Sequence, residues 1–280
     1  MNITKKEFQM LRGLIEQQTG ILLDDTKTYL IENRLSKLAV EANCKSFGEL
    51  YIKLNNDPRA FEIKEKMVEA ITTNETLWFR DKYPFCALTN IILPELLEKK
   101  QKGLISDIKI WSAGCSSGQE PYSIAITVFD FLKNNRNIES KNNFISILAT
   151  DISESNLNNA INGEYDEIAV QRGLLPEQLS KYFIKKNRKW KIDENLKKLI
   201  SFKKFNLKES SLRLGCFDII FLRNVMIYFS VPFKINLLKK VSKLLSKNGY
   251  LILGTGETVQ GLSDDFEIIK YQGGIIYRLK

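Results

Sequence analysis

The 280-residue chain contains no histidine. That single absence removes the Ser-His-Asp triad, the Cys-His pair, imidazole acid–base chemistry and most catalytic zinc sites. An enzyme made from this chain works with carboxylates, Lys, Arg, Tyr, backbone dipoles or a cofactor. Cysteine is scarce as well. Cys44, Cys86, Cys115 and Cys216 lie far apart and form no CxxC, which excludes a zinc ribbon or disulfide framework and points to a reducing compartment. No apolar run approaches the ~20 residues of a membrane span. The longest are broken by Asp218, Arg223 or glycine. The N-terminal MNITKKEFQM lacks the apolar core of a signal peptide. These absences predict a cytoplasmic protein with no metal site and no direct membrane insertion.

What is present suits a folded globular protein of one large or two modest domains: 44% hydrophobic and 27% charged residues. The net charge of +9 is uneven. Residues 1–75 hold 11 basic and 12 acidic residues, whereas Lys181–Arg213 holds 12 basic and 3 acidic. Such a stretch is either a surface for an acidic partner or a solvated basic face. Nucleic acid is not expected, because no nucleic-acid module accompanies the charge.

Residues 4–71 read as helices. Thr4 with Glu7 and Ser46 with Glu49 form capping boxes, and Asp57-Pro58 suits an N-cap and first turn for the helix after it. Leu30, Leu35, Leu38 and Ala42 share one face of another helix. The spacing therefore predicts a helical N-terminal domain over 1–72, then a junction and helix over 73–106. From 107 onward apolar strands alternate with helices. DIKIWSAG, FISILATD, FDIIFLRN and YLILGTG read as parallel strands, and FEIIKYQGGIIYRLK as an antiparallel edge hairpin. A small inserted subdomain is expected at about 164–203. The fold class is α/β, a Rossmann-like sheet with an antiparallel edge hairpin behind an all-helical domain.

The first strand runs into SAGCSSGQEPYS. Gly114 and Gly118 allow a tight turn and close approach of a ligand, at the carboxyl ends of parallel strands. The loop is not GxGxxG, and Glu120 beside it disfavours a pyrophosphate. The second strand ends in Asp151, placed to bind two ribose hydroxyls. Loop, Glu120 and Asp151 together favour S-adenosylmethionine over a dinucleotide.

TTNETLWFR, WSAGCSSGQEPYSIA, ATDIS, FNL and FLRNVMIYF, in this order and spacing, resemble the chemotaxis receptor methyltransferase (CheR) family over almost the whole chain. The resemblance implies a class I methyltransferase that uses S-adenosylmethionine to convert receptor glutamates to methyl esters, leaving S-adenosylhomocysteine. Carried over by motif, it assigns Asn74, Thr76, Arg80, Gly114, Glu120, Asp151, Asn206, Leu207, Arg223 and Asn224 to the cofactor. It places Arg223 and Tyr228 at the reacting groups, where either would orient the carboxylate. It makes Arg34 and Lys37 the substrate-contact candidates. The implied partner is the cytoplasmic helical domain of chemoreceptors, met by a monomeric enzyme.

Each residue also has an ordinary reading. Asn74 and Thr76 suit a helix cap, Arg80 a surface ion pair, and Glu120 a helix start. Asp151 suits the N-cap of the next helix, Asn206 a turn, Arg223-Asn224 a strand end and Tyr228 the core. Some family members carry a glycine-containing hairpin loop that binds a receptor pentapeptide. FIKKNRKWKI has no glycine, so direct receptor recognition is expected. GTGET stands where many members have a histidine-serine-glutamate stretch, and no cofactor role is expected of it. The competing classes are a nucleic-acid methyltransferase and a non-catalytic cofactor-binding regulator.

Overall fold

The computed structural model describes residues 1–58, 60–135, 144–210 and 214–280. Residues 136–143 of the expected polar loop, and Arg213 at the end of the basic stretch, lie outside the described residues.

The N-terminal domain packs α1 (Lys5–Thr19), α2 (Thr28–Glu41), α3 (Phe47–Asn56) and α4 (Phe61–Ile71). Thr4 and Glu7 close a reciprocal capping box. Thr4 Oγ1 accepts the Glu7 N–H at 3.3 Å, and Glu7 Oε2 accepts the Thr4 N–H at 2.9 Å. Ser46 caps α3 through the Glu49 N–H at 3.1 Å. Asp57-Pro58 does not start α4. Asp57 is the C-cap of α3, which runs on to Asn56, and α4 begins at Phe61 behind Ala60 with no side-chain cap. Phe8, Leu11, Ile15, Ile31, Leu35, Phe47 and Met67 form the common core. Leu35, Leu38 and Ala42 are buried as the helical spacing predicts, with Ile31 beside them and Leu30 only half-buried.

The helix after the junction starts at Tyr83, before the expected 85. It comprises α5 (Tyr83–Ala87), a π-helical turn over Leu88–Ile92 and α6 (Leu93–Gln101). Pro94 lacks the N–H that an α-helical ladder needs there, and the π turn just before it absorbs the mismatch.

The second domain alternates β1 (Ile108–Ala113), α7 (Gln119–Asn134), β2 (Ile145–Asp151) and α8 (Glu154–Asn162). A small unit then follows: β3 (Glu164–Tyr165), α9 (Glu167–Gln171), α10 (Pro176–Tyr182), β4 (Phe183–Lys186), β5 (Lys189–Ile192) and α11 (Glu194–Lys197). The chain returns through β6 (Ile200–Lys204), β7 (Phe217–Leu222), α12 (Val231–Leu244), β8 (Leu245–Leu253), β9 (Phe266–Tyr271) and β10 (Gly274–Leu279). The main sheet has the order β6-β2-β1-β7-β8-β10-β9. Its first five strands are parallel, and β10 pairs antiparallel with both β8 and β9, so the expected edge hairpin is present. Alternate residues of β1 serve opposite faces. Ile108 and Ile110 join the core with α5–α7, whereas Trp111 and Ala113 join the core with α12.

The small unit has its own sheet, β3-β5-β4. Residues 200–203, expected at the end of the insertion, belong instead to the edge strand β6 of the main sheet, in register with β2 from Ile147↔Ile200 to Asp151↔Lys204. Five of the eleven described basic residues in the stretch are ion-paired. Lys181 meets Asp130, Lys185 meets Glu167, Lys191 and Lys197 meet Glu194, and Lys204 meets Glu65 and Glu154. That pairing compensates part of the charge of the stretch.

The two domains are joined at several points. Ile21 bridges Phe229, the Leu22 N–H donates to the Tyr228 carbonyl at 2.8 Å, and Gly20 lies against the Phe233 ring where any Cβ would collide. Glu69 of α4 accepts the hydroxyls of Ser153 and Ser155, each at 2.6 Å, and the Ser155 N–H at 3.1 Å. Burial pushes the Glu69 carboxyl up, but these donors outweigh it and hold it below its ordinary value. A lowered folded value means stability that is present above the unfolded pKa of about 4.3 and lost as pH falls through the folded one. Glu69→Ala is therefore expected to cost about 1 kcal/mol at neutral pH, the figure being discounted for partial exposure. The deficit should vanish in strongly acidic buffer, and thermal melts at the two pH values check it.

Candidate cofactor site

The site lies at the carboxyl ends of β1, β2 and β7, where a doubly wound sheet leaves a crevice. Each wall is set by local backbone demands. Gly114 follows β1 at φ +79°, and a Cβ there would come within 2.6 Å of Val225 Cγ2. Ser116 and Asn224 also have positive φ, at 49° and 59°. The junction loop has three such residues, Phe79, Asp81 and Lys82. Non-glycine residues leave this conformation readily unless the surroundings fix it. Here the Phe79 N–H donates to Ser123 Oγ at 3.0 Å, and the Trp78 indole donates to the Ala169 carbonyl at 3.0 Å.

Asp151 ends β2 and is buried. Its Oδ2 accepts the Ser116 N–H at 2.7 Å and its Oδ1 the Ser153 N–H at 2.9 Å. Burial raises its carboxyl above the ordinary value, and the two N–H donors oppose the rise. Each oxygen keeps a lone pair for a ligand hydroxyl. Ser153, rather than Asp151, caps α8 through the Asn156 N–H.

Glu120 opens α7 and is largely buried. It accepts from Ser112 Oγ at 2.8 Å and from Arg223 Nη1 at 2.9 Å. Burial raises its carboxyl, and Arg223 and Ser112 restrain the rise. Arg223 Nη2 donates to Asp81 Oδ2 at 2.8 Å and to the Arg80 carbonyl at 2.6 Å. Its side chain is 1% exposed, and it lies over the Phe85 ring at 5.8 Å.

One cavity collects every expected cofactor residue: Asn74, Thr76, Arg80, Gly114, Glu120, Asp151, Asn206, Leu207, Arg223 and Asn224, with Tyr228. It encloses about 940 Å³ of non-atom space, open solvent at its mouth included. Thr19 and Ile21 of the helical domain close one side. A second cavity adjoins it, lined by Lys27, Leu30, Arg34, Ile71, Thr73, Ile227 and Tyr228 among others. Lys37 lines neither and is exposed beside Glu41.

The geometry gives three residues tasks other than the expected ones. Arg223 was expected to orient a substrate carboxylate. Its two terminal nitrogens are instead engaged by Glu120, Asp81 and the Arg80 carbonyl, so it acts as an internal clamp. Arg34 donates to the carbonyls of Ile71 at 2.7 Å and Thr72 at 3.1 Å, with longer contacts to Ala70 O and Thr73 Oγ1. It thus caps α4 and fixes the start of the junction. Asn206 donates to the Gln18 carbonyl at 2.7 Å and accepts the Lys208 N–H at 3.0 Å, tying α1 to the turn after β6. Two site residues escaped the sequence reading. Asp81 had no local signal beyond following FR. Glu257 lies in GTGET, which was given no role, yet its carboxylate holds the turn after β7.

The residues suit S-adenosylmethionine. Asp151 offers lone pairs for ribose hydroxyls. Glu75, Glu120 and Asp151 outnumber Arg80 and Arg223 in the lining, which favours a sulfonium over a pyrophosphate.

The family "CheR methyltransferase, SAM binding domain" matches residues 74–275, and "CheR methyltransferase, all-alpha domain" matches residues 6–72. The chain is 40% identical over 281 residues to chemotaxis protein methyltransferase Cher2 of Pseudomonas putida, covering 100% of each. It is 42% identical over 281 residues to a chemotaxis protein methyltransferase of Vibrio anguillarum, covering 100% of this chain and 99% of the relative. A chemotaxis protein methyltransferase of Borreliella burgdorferi is 40% identical over 264 residues, 93% of this chain and 91% of that protein.

Proposed function

The chain belongs to the CheR methyltransferase family, and from that premise we propose that it methylates glutamate side chains on the helical cytoplasmic domain of chemoreceptors, acting as a monomer. It is an S-adenosylmethionine-dependent methyltransferase. The observation that supports the substrate reading is the position of Tyr228. It lines both the cofactor cavity and the neighbouring cavity bordered by Lys27 and Arg34 of the helical domain. A glutamate reaching through the second cavity meets the first at Tyr228.

The absence of histidine fits this chemistry. Bound S-adenosylmethionine supplies an activated methyl group. A glutamate carboxylate, with a pKa of about 4.3, is already the nucleophile at neutral pH. No general base is required. What remains for the protein is to align the carboxylate and exclude water. Tyr228 is the positioning hydroxyl. Arg223, held by two carboxylates, leaves the nucleophile's charge undiminished. The buried acids Glu120 and Asp151 favour the cofactor's positive charge. Lys27 and Lys37 favour an acidic helix electrostatically, and no pentapeptide tether is needed.

The test is transfer of radiolabelled methyl groups to membranes carrying the organism's own chemoreceptors, with the product released as methanol by mild base. Base-labile label is expected. Label on nucleic acid, or none despite cofactor binding, would replace the substrate reading. Tyr228→Phe should lower kcat by about tenfold, as expected for one positioning hydrogen bond, and leave S-adenosylhomocysteine affinity near wild type. Unchanged turnover would remove the role assigned to the hydroxyl.

A further inference from the structure

We propose that Glu257 is a positioning residue of the cofactor site, holding the Asn224–Tyr228 turn in its binding-competent shape; this rests on the cofactor role of the main cavity. Four backbone N–H groups converge on its carboxylate. Oε2 accepts from Asn224 at 2.6 Å and Gly254 at 2.8 Å, and Oε1 from Val225 at 3.0 Å and Ile227 at 3.2 Å. Three of these donors belong to one turn, and the fourth belongs to the end of β8. A carboxylate is the side chain that accepts four such bonds on two oxygens, and its charge shortens and strengthens them.

The turn needs an external hold. Asn224 has φ +59°, a left-handed conformation that asparagine tolerates better than other side-chain-bearing residues but that still costs more than the right-handed one. Its side chain lies directly on the β8 terminus. A Cβ on Gly254 would come within 2.6 Å of Asn224 Nδ2, so only glycine fits there. The tight turn Gly254–Glu257, closed by the Glu257 N–H to the Gly254 carbonyl at 2.9 Å, aims the carboxylate at the loop. GTGE is therefore one device: Gly254 makes room for Asn224, and Glu257 binds the backbone on either side of it.

The consequence falls on the reaction through other residues. Asn224, Val225 and Tyr228 line the cofactor cavity, while Ile227 and Tyr228 line the adjoining one. Val225 also lies against Gly114 of the first loop. Loosening this turn moves the wall of both cavities at once. Glu257→Gln keeps the size of the side chain, but its amide NH₂ faces N–H donors, so one side of the clamp becomes repulsive.

The experiment compares wild type, Glu257→Gln and Glu257→Asp. S-adenosylhomocysteine affinity is read by calorimetry, and kcat and KM are read with receptor membranes. The Gln variant should bind S-adenosylhomocysteine about tenfold more weakly and lose about 10–100-fold in kcat, in line with the sensitivity of an aligned displacement to small misplacement. The Asp variant keeps the charge and should recover much of both losses, which a merely structural role would not produce. Wild-type affinity in the Gln variant overturns the proposal. If the Gln variant does not fold, Glu257→Ala takes its place, and wild-type affinity in the Ala variant overturns it. Affinity is measured without turnover, so failure of the glutamate-substrate reading leaves this result unaffected.

Discussion

Asp151→Asn is expected to weaken S-adenosylhomocysteine binding by roughly 10²–10³-fold, since each of two hydrogen bonds to a charged acceptor contributes about 1.5–3 kcal/mol. The change removes the charge that the proposed ribose contacts use. It also sets an amide NH₂ against the N–H of Ser116 or Ser153, whichever way the amide turns. Stability should move far less. The raised carboxyl value means that burial disfavours ionised Asp151, so the folded state is relieved when the charge goes. The newly unpaired N–H works in the opposite direction at about 1–3 kcal/mol. Affinity is therefore the informative readout. Wild-type affinity should decline with acid at a higher pH than these carboxyls would give at their ordinary values, as Asp151 and Glu120 take up protons. In the Asn variant the part of that decline due to Asp151 should be missing. Calorimetry across mildly acidic pH checks both. Binding within threefold of wild type would remove Asp151 as the ribose ligand.

Features encoded within a few residues of each other were legible. The Thr4–Glu7 box, the strand-glycine loop-helix unit and the terminal hairpin all depend on spacing along one segment. The residues that the motifs assign to the cofactor all line one cavity. What the sequence hides is which partner each side chain takes. Arg223 finds Glu120 and Asp81 at separations of 103 and 142 residues, and no periodicity reports that. The same holds for Asn206, whose amide reaches Gln18 across 188 residues. Residues 200–203 fall within the expected insertion yet join the main sheet, because pairing with β2 is a tertiary choice. Asp57-Pro58 had the right chemistry for a helix start, but the preceding helix ran on and took Asp57 as its end. Glu257 illustrates a further limit. A carboxylate that binds only backbone leaves no partner residue type in the sequence.

Replacing Arg223 with Met should destabilise the protein by about 3–5 kcal/mol, the range for breaking a buried ion pair by removing one partner. The side chain is 1% exposed and spans two carboxylates, Glu120 at 2.9 Å and Asp81 at 2.8 Å. Its removal leaves Glu120 buried, charged and opposed only by Ser112. Glu120 already has a raised carboxyl because of burial, with Arg223 restraining the rise. Without the guanidinium the folded value climbs further. A carboxyl whose folded value exceeds its unfolded one costs stability above that value and recovers it on protonation. The deficit of the Met variant should therefore shrink as pH falls, and should do so at a higher pH than the Glu69→Ala deficit, because the Glu120 carboxyl is raised and the Glu69 carboxyl lowered. Urea midpoints at neutral and mildly acidic pH measure it. Lys is expected to restore only part of the loss, because a single ammonium cannot reproduce the fork that reaches both acids and the Arg80 carbonyl. Glu120→Gln combined with Arg223→Met should be less destabilised than the sum of the single changes, by a coupling of about 1–3 kcal/mol. A deficit that is small, or that grows with acidity, would show that the clamp is not electrostatic. With the clamp in place, the guanidinium of Arg223 is occupied by the protein's own acids, which is why the proposed orientation of a substrate carboxylate rests on Tyr228.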